Sequence, residues 1–310
     1  MFYQFLKNEI LEIEPDMIDP AVFTAGYIRA EELPELNRLL CFDESTVASC
    51  GKTDVLFRSG VEVHRSYTYT QLRILNRDSD EDDFIALYLR KNLILVVDIR
   101  DEDGSTKEKY LSAVKRYPAE RAGCEKVLAA FLDSLISSDF SVLEHYEDIL
   151  SDEEDALLKK EDDRDYNIRL LKIKKRLSRR HTYYAQLLDI TEAVSSNDNE
   201  LFEESRLIYI DNVSKHISRL WEDTASLKND VERLQDAYSS MLDFRMNSTM
   251  KIFTVLTSIF FPLTIIVGWY GMNFQYMPEL VWKYGYLYVI LLSIVTVLVF
   301  AIIGKRKKWF

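Results

Sequence analysis

The chain carries two stretches that contain no charged residue, IFTVLTSIFFPLTIIVGWY at residues 252–270 and YGYLYVILLSIVTVLVFAIIG at residues 284–304. An α-helix rises about 1.5 Å per residue, so each stretch would form a helix roughly 30 Å long, enough to cross the hydrocarbon core of a membrane. The sequence therefore predicts two transmembrane helices. The link between them begins with Gly271, Met272 and Asn273, and it would hold the Asn273 carboxamide where ions or solutes would enter a pore.

The distribution of charge separates a soluble part from a membrane part. Of the 310 residues, 29% are charged, which is too many for a protein made mostly of membrane helices. Residues 251–310, the predicted transmembrane pore domain, carry six basic residues and one acidic residue, whereas the rest of the chain carries 33 basic and 50 acidic residues. Nucleic-acid binding requires basic surfaces, so the acidic soluble part argues against a nucleic-acid partner and favours a protein that handles cations.

The two ends of the chain indicate its orientation in the membrane. Residues 1–15 include Lys7, Glu9 and Glu12, so they lack the apolar core of a signal peptide. The basic residues 305–308 directly follow the second predicted span, and basic flanks of this kind stay on the cytoplasmic side. We therefore expect a multi-pass protein of the cell inner (plasma) membrane, surrounded by membrane lipids, with both termini in the cytoplasm.

Residues 1–120 alternate strand and helix signals. Residues 60–75 are rich in β-branched and aromatic side chains, and the apolar runs 84–89 and 92–99 lie on either side of Arg90-Lys91. The two runs predict a buried β-hairpin with Arg90-Lys91 as its turn. The fold class expected for this region is a cytoplasmic α/β domain.

The middle of the chain predicts long helices, because residues 124–261 contain neither glycine nor proline. An acidic run at residues 144–165 and a basic run at residues 172–181 indicate a cytoplasmic helical hairpin over residues 121–198 whose arms attract each other. The acidic run also has a functional interpretation, as a surface that concentrates cations near a pore mouth.

A long helix is expected to follow the polar turn at residues 195–199, with Asp198 or Asn199 as its N-cap. It would form a stalk over residues 199–250 and continue through the first span, for roughly 70 residues and on the order of 100 Å. Apolar residues recur along it at the alternating spacing of a heptad repeat, which predicts packing against a neighbouring helix. These positions are Ile210, Val213, Ile217, Leu220, Thr224, Leu227, Val231, Leu234, Tyr238 and Met241.

A second stripe, mostly polar, runs along the same helix, and in a soluble protein it would simply be the solvated face. Its positions are Asn229, Glu232, Asp236, Ser240, Asp243, Asn247 and Met250. It continues into the predicted span as Phe253 or Thr254, Thr257, Phe261, Thr264 and Gly268, and it reaches Asn273. Because polar groups are costly against lipid and one helix cannot enclose water, the stripe predicts several copies of the chain around a shared axis.

The segment YGMNFQYMPEL at residues 270–280 resembles the CorA family of divalent-cation channels. Pro262-Leu263-Thr264 in the first span and the tail KRKKWF at residues 305–310 carry the same resemblance. The resemblance implies a funnel-shaped homopentamer, with a cytoplasmic α/β domain, a long stalk helix, two transmembrane helices and a pore lined by the first span.

The resemblance also implies roles for individual residues. Gly271, Met272 and Asn273 would form the selectivity filter, in which the Asn273 ring receives the hydrated ion, and Glu279 would lie in the outer loop. Mg²⁺ loses its water reluctantly, so neutral amides that bind its intact hydration shell suit this ion. The implied pore-lining residues are Thr264, Phe261, Thr257, Phe253, Met250, Asn247 and Asp236.

One motif departs from the family pattern. Near the start of the stalk helix, the family often reads YxRDVYDH, with acids for an inhibitory cytoplasmic metal, whereas residues 209–216 read YIDNVSKH. Asn212 and Lys215 stand where acids would be expected, and Asp211 remains the candidate ligand for a regulatory Mg²⁺. We therefore expect feedback by cytoplasmic Mg²⁺ to be weaker here or to use other acids.

These features predict a passive Mg²⁺ uptake channel that the membrane potential drives and that is gated from the cytoplasmic side. Residues 251–310 contain no His or Cys, the usual ligands of softer metals, but Co²⁺, Ni²⁺ and Zn²⁺ stay open as alternative cargoes. A non-conducting, membrane-anchored coiled-coil scaffold is the alternative from another class. The chain has no phosphate loop, and its four histidines are scattered, so we expect no enzymatic activity.

Overall fold

The computed structural model of the chain describes residues 1–7, 9–51, 60–76, 82–159, 165–272, 277–278 and 282–306. It has two compact units, Met1–Leu234 and Gln235–Phe310, and each is described by itself.

A mixed β-sheet forms the centre of the first unit. Its described strands are β1 (Phe2–Phe5), β2 (Ile10–Ile13), β3 (Thr24–Arg29), β4 (Val61–Val63), β5 (Thr68–Ile74), β6 (Asp83–Arg90) and β7 (Leu93–Arg100). Their order across the sheet is β2-β1-β3-β7-β6-β5-β4. Strands β3 and β7 run parallel, and the other neighbouring strands are antiparallel.

The predicted hairpin is confirmed as β6 and β7, but its turn lies one residue further along the chain. Arg90 pairs with Leu93, so the two-residue turn is Lys91-Asn92 and not Arg90-Lys91. Arg90 remains in the strand because its guanidinium donates a hydrogen bond of 2.9 Å to the carbonyl of Leu40. The same group lies 5.1 Å from the ring centre of Phe42, which adds a cation–π contact.

Helices account for most of the remaining described residues. They are α1 (Leu33–Leu40), α2 (Glu44–Cys50), α3 (Ser105–Lys115), α4 (Cys124–Ile136), α5 (Asp139–Leu158), α6 (Tyr166–Ser196), α7 (Ile208–Tyr270) and α8 (Gly285–Arg306). Short 3-10 turns occur at Pro15–Met17, Ala119–Arg121 and Glu204–Arg206. The long helices α5, α6 and α7 agree with the expectation drawn from the scarcity of glycine and proline.

The two arms of the predicted helical hairpin, α5 and α6, attract each other near their connection. The Arg169 guanidinium donates two hydrogen bonds of 2.8 Å to the Glu153 carboxylate, and the Tyr166 hydroxyl donates one of 3.2 Å to the Glu153 carbonyl. At the far end of the hairpin, the buried Asp139 carboxylate accepts a hydrogen bond of 3.0 Å from Tyr184 and lies 3.4 Å from Arg180.

The connection between α6 and α7 differs from the sequence prediction. Asn197 ends α6 in a left-handed conformation with φ 50°, and its carboxamide makes two hydrogen bonds of 3.0 Å to the backbone of Phe202. Asn199 donates to the carbonyl of His64 and the hydroxyl of Thr68, both at 3.0 Å. The prediction that Asp198 or Asn199 caps the next helix is therefore wrong, and α7 begins at Ile208 and runs for 63 residues.

The heptad seam of α7 is buried as predicted as far as Leu234, whereas Tyr238 and Met241 are only half-buried. Helix α6 packs beside it in the antiparallel direction, as a series of side-chain contacts shows. These contacts join Ser195 to Asp211, Thr191 to Ser214, His181 to Trp221 and Lys174 to Glu232. Because α6 also contacts β4 and β5, it joins the sheet to α7.

The burial of α6 predicts different effects for two adjacent leucines. Leu170 is 0% exposed, whereas Leu171 is 60% exposed. Leu170→Ala should lower the free energy of unfolding by about 2–5 kcal/mol because it leaves a cavity. Leu171→Ala should change it by less than about 0.5 kcal/mol. Calorimetric unfolding of the purified full chain measures both, and equal losses would show that the assigned buried face of α6 is wrong.

Candidate ion pathway

Two of the described helices, α7 and α8, are long and apolar enough to cross a membrane. Almost none of the residues in the most apolar part of each helix is buried in the isolated chain. Apolar helices that their own chain leaves largely unburied need lipid or further copies of the chain around them. The predicted spans therefore coincide with the carboxyl-terminal part of α7 and with α8.

The less exposed residues of the α7 span lie on one face of the helix, and the stripe predicted from the sequence lies opposite them. The stripe predicted from the sequence is exposed at each of the positions Met250, Phe253, Thr257, Phe261, Thr264 and Gly268. The less exposed residues of this span are Val255, Ser258, Ile259, Pro262, Leu263, Ile266 and Tyr270. At about 100° per residue, the second set is centred on the far side of the helix from the first.

Helix α8 shows the complementary pattern. Its less exposed residues recur at three- and four-residue steps, which marks one face of a helix. They are Val289, Leu292, Ser293, Thr296, Val297, Phe300, Ala301 and Gly304. One less exposed face on each helix is the pattern expected of two helices that pack against each other, and the six stripe positions of α7 remain exposed.

Two threonines on the exposed stripe donate hydrogen bonds within the helix. The Thr257 hydroxyl donates a hydrogen bond of 2.8 Å to the carbonyl of Phe253, and the Thr264 hydroxyl donates one of 2.9 Å to the carbonyl of Phe260. Each hydroxyl hydrogen is therefore used within the helix, and the oxygen keeps lone pairs that accept hydrogen bonds. Water molecules around a cation point their hydrogens outwards, so such oxygens suit a hydrated cation.

The start of the predicted filter follows α7 directly. The Gly271 amide donates a hydrogen bond of 2.9 Å to the carbonyl of Val267, and the Met272 amide donates one of 3.3 Å to the carbonyl of Trp269. A Cβ atom added to Gly271 would lie 2.8 Å from the Val267 carbonyl oxygen, which is too close, so the turn requires glycine. Asn273 and Glu279 lie outside the described residues.

The remaining pore candidates of the second unit lie further towards the amino-terminal side of α7. Asp236 and Asn247 are exposed, as is Met250. Asn247 and Met250 also line an open cavity of about 600 Å³ that borders this part of the helix. All the predicted pore-lining residues are therefore free of burial within one chain.

The candidate regulatory residue belongs to the first unit. The exposed Asp211 carboxylate accepts a hydrogen bond of 2.8 Å from Ser195 on α6. Among the described residues, a group of acids with metal-ligand spacing occurs elsewhere, at Asp83, Asp101 and Asp103, whose oxygens lie within 4.8 Å of one another. The sequence analysis missed this group, although Asp101 and Asp103 directly precede the first residues of α3.

These three acids have structural roles at the start of α3. Asp103 and Asp101 accept hydrogen bonds of 2.9 Å from the backbone amides of Ser105 and Lys107. The Ser105 amide, together with Asn76, lowers the pKa of Asp103 to about 2. Burial raises the pKa of Asp83, although Thr106 donates a hydrogen bond of 2.8 Å to its carboxylate. The group thus stabilises a helix start, which its geometry explains without a metal.

Comparisons with known proteins agree with this architecture. The family described as CorA-like Mg²⁺ transporter protein matches residues 28–306. The chain is 27% identical over 256 residues to the cobalt/magnesium transport protein CorA of Thermotoga maritima, which covers 81% of this chain and 73% of that protein. It is 39% identical over 97 residues to the magnesium transport protein CorA of Wolinella succinogenes, which covers 31% of this chain and 30% of that protein.

A solved structure shows the same fold. The complete CorA magnesium transporter from Methanocaldococcus jannaschii superposes with a TM-score of 0.74 at 22% identity, over 100% of this chain and 98% of that chain. The family match covers strands β4 to β7 of the sheet, all of the long helices and both predicted spans. The chain therefore belongs to the CorA-like Mg²⁺ transporter family.

Proposed function

We propose that this chain is the subunit of a homopentameric, funnel-shaped channel for passive Mg²⁺ uptake, with both termini in the cytoplasm. Membership of the CorA-like family makes it a divalent-cation transporter of the magnesium and cobalt type. The observation that carries the finer proposal is the α7 stripe from Met250 to Gly268, which is exposed on the face opposite the less exposed one.

The stripe favours a channel over a non-conducting scaffold. A membrane anchor that faced only lipid would gain from apolar side chains all round, whereas this face includes Thr257 and Thr264. Five copies of α7 around an axis would turn these hydroxyl oxygens towards shared water. In a pentamer, the less exposed face would remain directed at α8.

The chemistry of the stripe suits a hydrated ion. Mg²⁺ dehydrates reluctantly, and a wall of neutral acceptors binds its outer waters without trapping the ion. The filter would begin at Gly271 and Met272, and the Asn273 ring would receive the ion on the outer side, with Glu279 in the loop beside it. Residues 251–310 contain no His or Cys, which favours Mg²⁺ over Zn²⁺ or Ni²⁺.

Cobalt is the second candidate cargo, because the similar protein of Thermotoga maritima is named as a transporter of cobalt and magnesium. A hydrated Co²⁺ ion would make the same contacts with neutral oxygens. The driving force is the same for both ions. Moving a divalent cation inwards gains roughly 4.6 kcal/mol per 100 mV, so the transport needs no nucleotide.

Gating is proposed at two levels. The rings of Phe253 and Phe261 are exposed on the pore face and could close a narrow passage by excluding water. Asp211 is proposed as a ligand of regulatory Mg²⁺ on the cytoplasmic side. Asn212 and Lys215 supply no carboxylate beside it, so the feedback would be weaker than in relatives with acids there.

Asn273→Ala should abolish selective Mg²⁺ uptake into proteoliposomes that have an inside-negative potential and no ATP. The reason is that the ring of carboxamides that holds the hydrated ion is lost. Asn167→Ala, which removes the same group from an exposed position of α6, is the matched control and should leave uptake unchanged. A magnesium dye measures uptake, and equal rates for the wild type and Asn273→Ala would rule out the filter role.

The same vesicles distinguish the alternatives. Wild-type protein that admits neither Mg²⁺ nor Co²⁺ would favour the scaffold. Faster entry of Zn²⁺ than of Mg²⁺ would overturn the proposed ion preference.

Gly271→Ala should reduce uptake at least about tenfold while the protein still inserts and assembles, because the added methyl group collides with the Val267 carbonyl and displaces the filter. Gly60→Ala adds the same methyl group where nothing lies within 4 Å, and it should leave uptake unchanged. Normal uptake by Gly271→Ala would show that the filter tolerates a different turn.

Asp211→Ala should require more cytoplasmic Mg²⁺ for half-maximal inhibition of uptake, since a ligand of the regulatory ion is removed. Ser195→Ala removes only the hydrogen bond to Asp211 and should leave the inhibition curve in place. Patch-clamp recording with varied Mg²⁺ on the cytoplasmic side gives the curves. Identical curves for the wild type and Asp211→Ala would exclude Asp211.

A further inference from the structure

An open cavity of about 390 Å³ lies in the first unit, between the end of β5 and the middle of α6. It is remote in sequence from the proposed filter and plays no part in the ion pathway described above. Arg73 and Leu75 border it on the β5 side, and Lys175, Arg179 and Tyr183 border it on α6.

The described lining of this cavity is cationic. Arg73, Lys175 and Arg179 each contribute a positive charge. One buried carboxylate, that of Asp82, accepts hydrogen bonds from both arginines. Each guanidinium has five N–H donors, and both arginine side chains remain more than 40% exposed, so donors are left over for a ligand. Three cations against one anion leave the described lining with excess positive charge.

Two residues that border the cavity each hold a buried polar atom that has no hydrogen-bond partner among the described residues. These atoms are the hydroxyl oxygen of Tyr183, a residue that is only 3% exposed, and the amide oxygen of Gln186. Burial raises the pKa of Tyr183 well above its ordinary value, so its hydroxyl keeps its proton and can donate. A buried polar group without a partner is unfavourable, and a ligand that pairs with both atoms would remove the penalty.

We propose that this cavity is a binding site for a small phosphate monoester that carries hydroxyl groups, such as a sugar phosphate or a nucleoside monophosphate. The phosphate would pair with Lys175 and the free N–H groups of Arg179 and Arg73, because guanidinium and ammonium groups together match its oxygens. Tyr183 would donate to the same phosphate. The Gln186 oxygen would accept a hydrogen bond from a hydroxyl group of the ligand.

The volume of the cavity supports an ester over a free ion. Binding pockets for small organic molecules begin at about 300 Å³, and this cavity lies above that limit. The apolar side chain of Leu75 forms part of the wall, which suits the carbon atoms of a sugar.

Calorimetric titration of the purified full chain with ribose 5-phosphate, AMP and inorganic phosphate tests the proposal. At least one of the two esters should bind saturably and more tightly than inorganic phosphate. Lys175→Gln and Tyr183→Phe should each weaken binding of that ester about tenfold, since each removes one contact with a charged group. Tyr183→Phe keeps the buried ring, and circular dichroism confirms that both variants are folded.

Arg176→Gln is the matched control, because it removes one charge from the exposed neighbouring position of α6 that does not line the cavity. It should change the affinity less than about twofold. Equal weakening by Arg176→Gln and Lys175→Gln would show general attraction to a basic helix and overturn the site. The site would also be overturned if neither ester bound saturably up to about 10 mM, or if inorganic phosphate bound more tightly than both esters. Binding is measured without ion flux, so this result is independent of the transport proposal.

Discussion

The antiparallel packing of α6 along α7 is the interaction on which the first unit depends. Helix α7 buries one apolar seam, from Ile210 to Leu234, and α6 is the helix that runs beside it. The opposite side of α6 reaches the sheet, where Arg179 binds the buried Asp82 at the start of β6. A single helix thus separates the sheet from the seam and contacts both, so its loss would leave two apolar surfaces in water at once.

The second unit, which holds both predicted spans, has a different constraint: hydrocarbon offers no hydrogen-bond partner, so polar groups there must pair within the protein or with water. Its helices satisfy their backbone internally except where Pro262 of α7 has no N–H to donate, and the threonine hydroxyls of α7 donate hydrogen bonds to carbonyls one turn back. What distinguishes the two faces of α7 is therefore exposure within the chain and side-chain chemistry. The proposed pore is a consequence of assembly, since one copy exposes the stripe but cannot surround it.

The sequence predicted those features that repeat along the chain. Strand runs located β6 and β7, and heptad spacing located the buried seam of α7 through Leu234. The exact residues at which turns and helices begin were harder to predict from the sequence. The turn at Lys91-Asn92 depends on what Arg90 contacts elsewhere in the fold, and the late start of α7 depends on Asn197 adopting a left-handed conformation. The Asp83 group and the cavity on α6 join residues far apart in sequence, which no local pattern could reveal.

The threonine hydrogen bonds of α7 have a consequence for the sign of the charge that can pass. The hydroxyl groups of Thr257 and Thr264 donate their hydrogen bonds to carbonyls of their own helix. The wall that they would form can therefore accept hydrogen bonds but cannot donate them. Water around a cation points its hydrogens at such a wall and can donate hydrogen bonds to it. Water around an anion points its oxygens outwards, and these oxygens would face the threonine oxygens without a hydrogen between them. A passage lined in this way would reject anions without carrying any charge of its own.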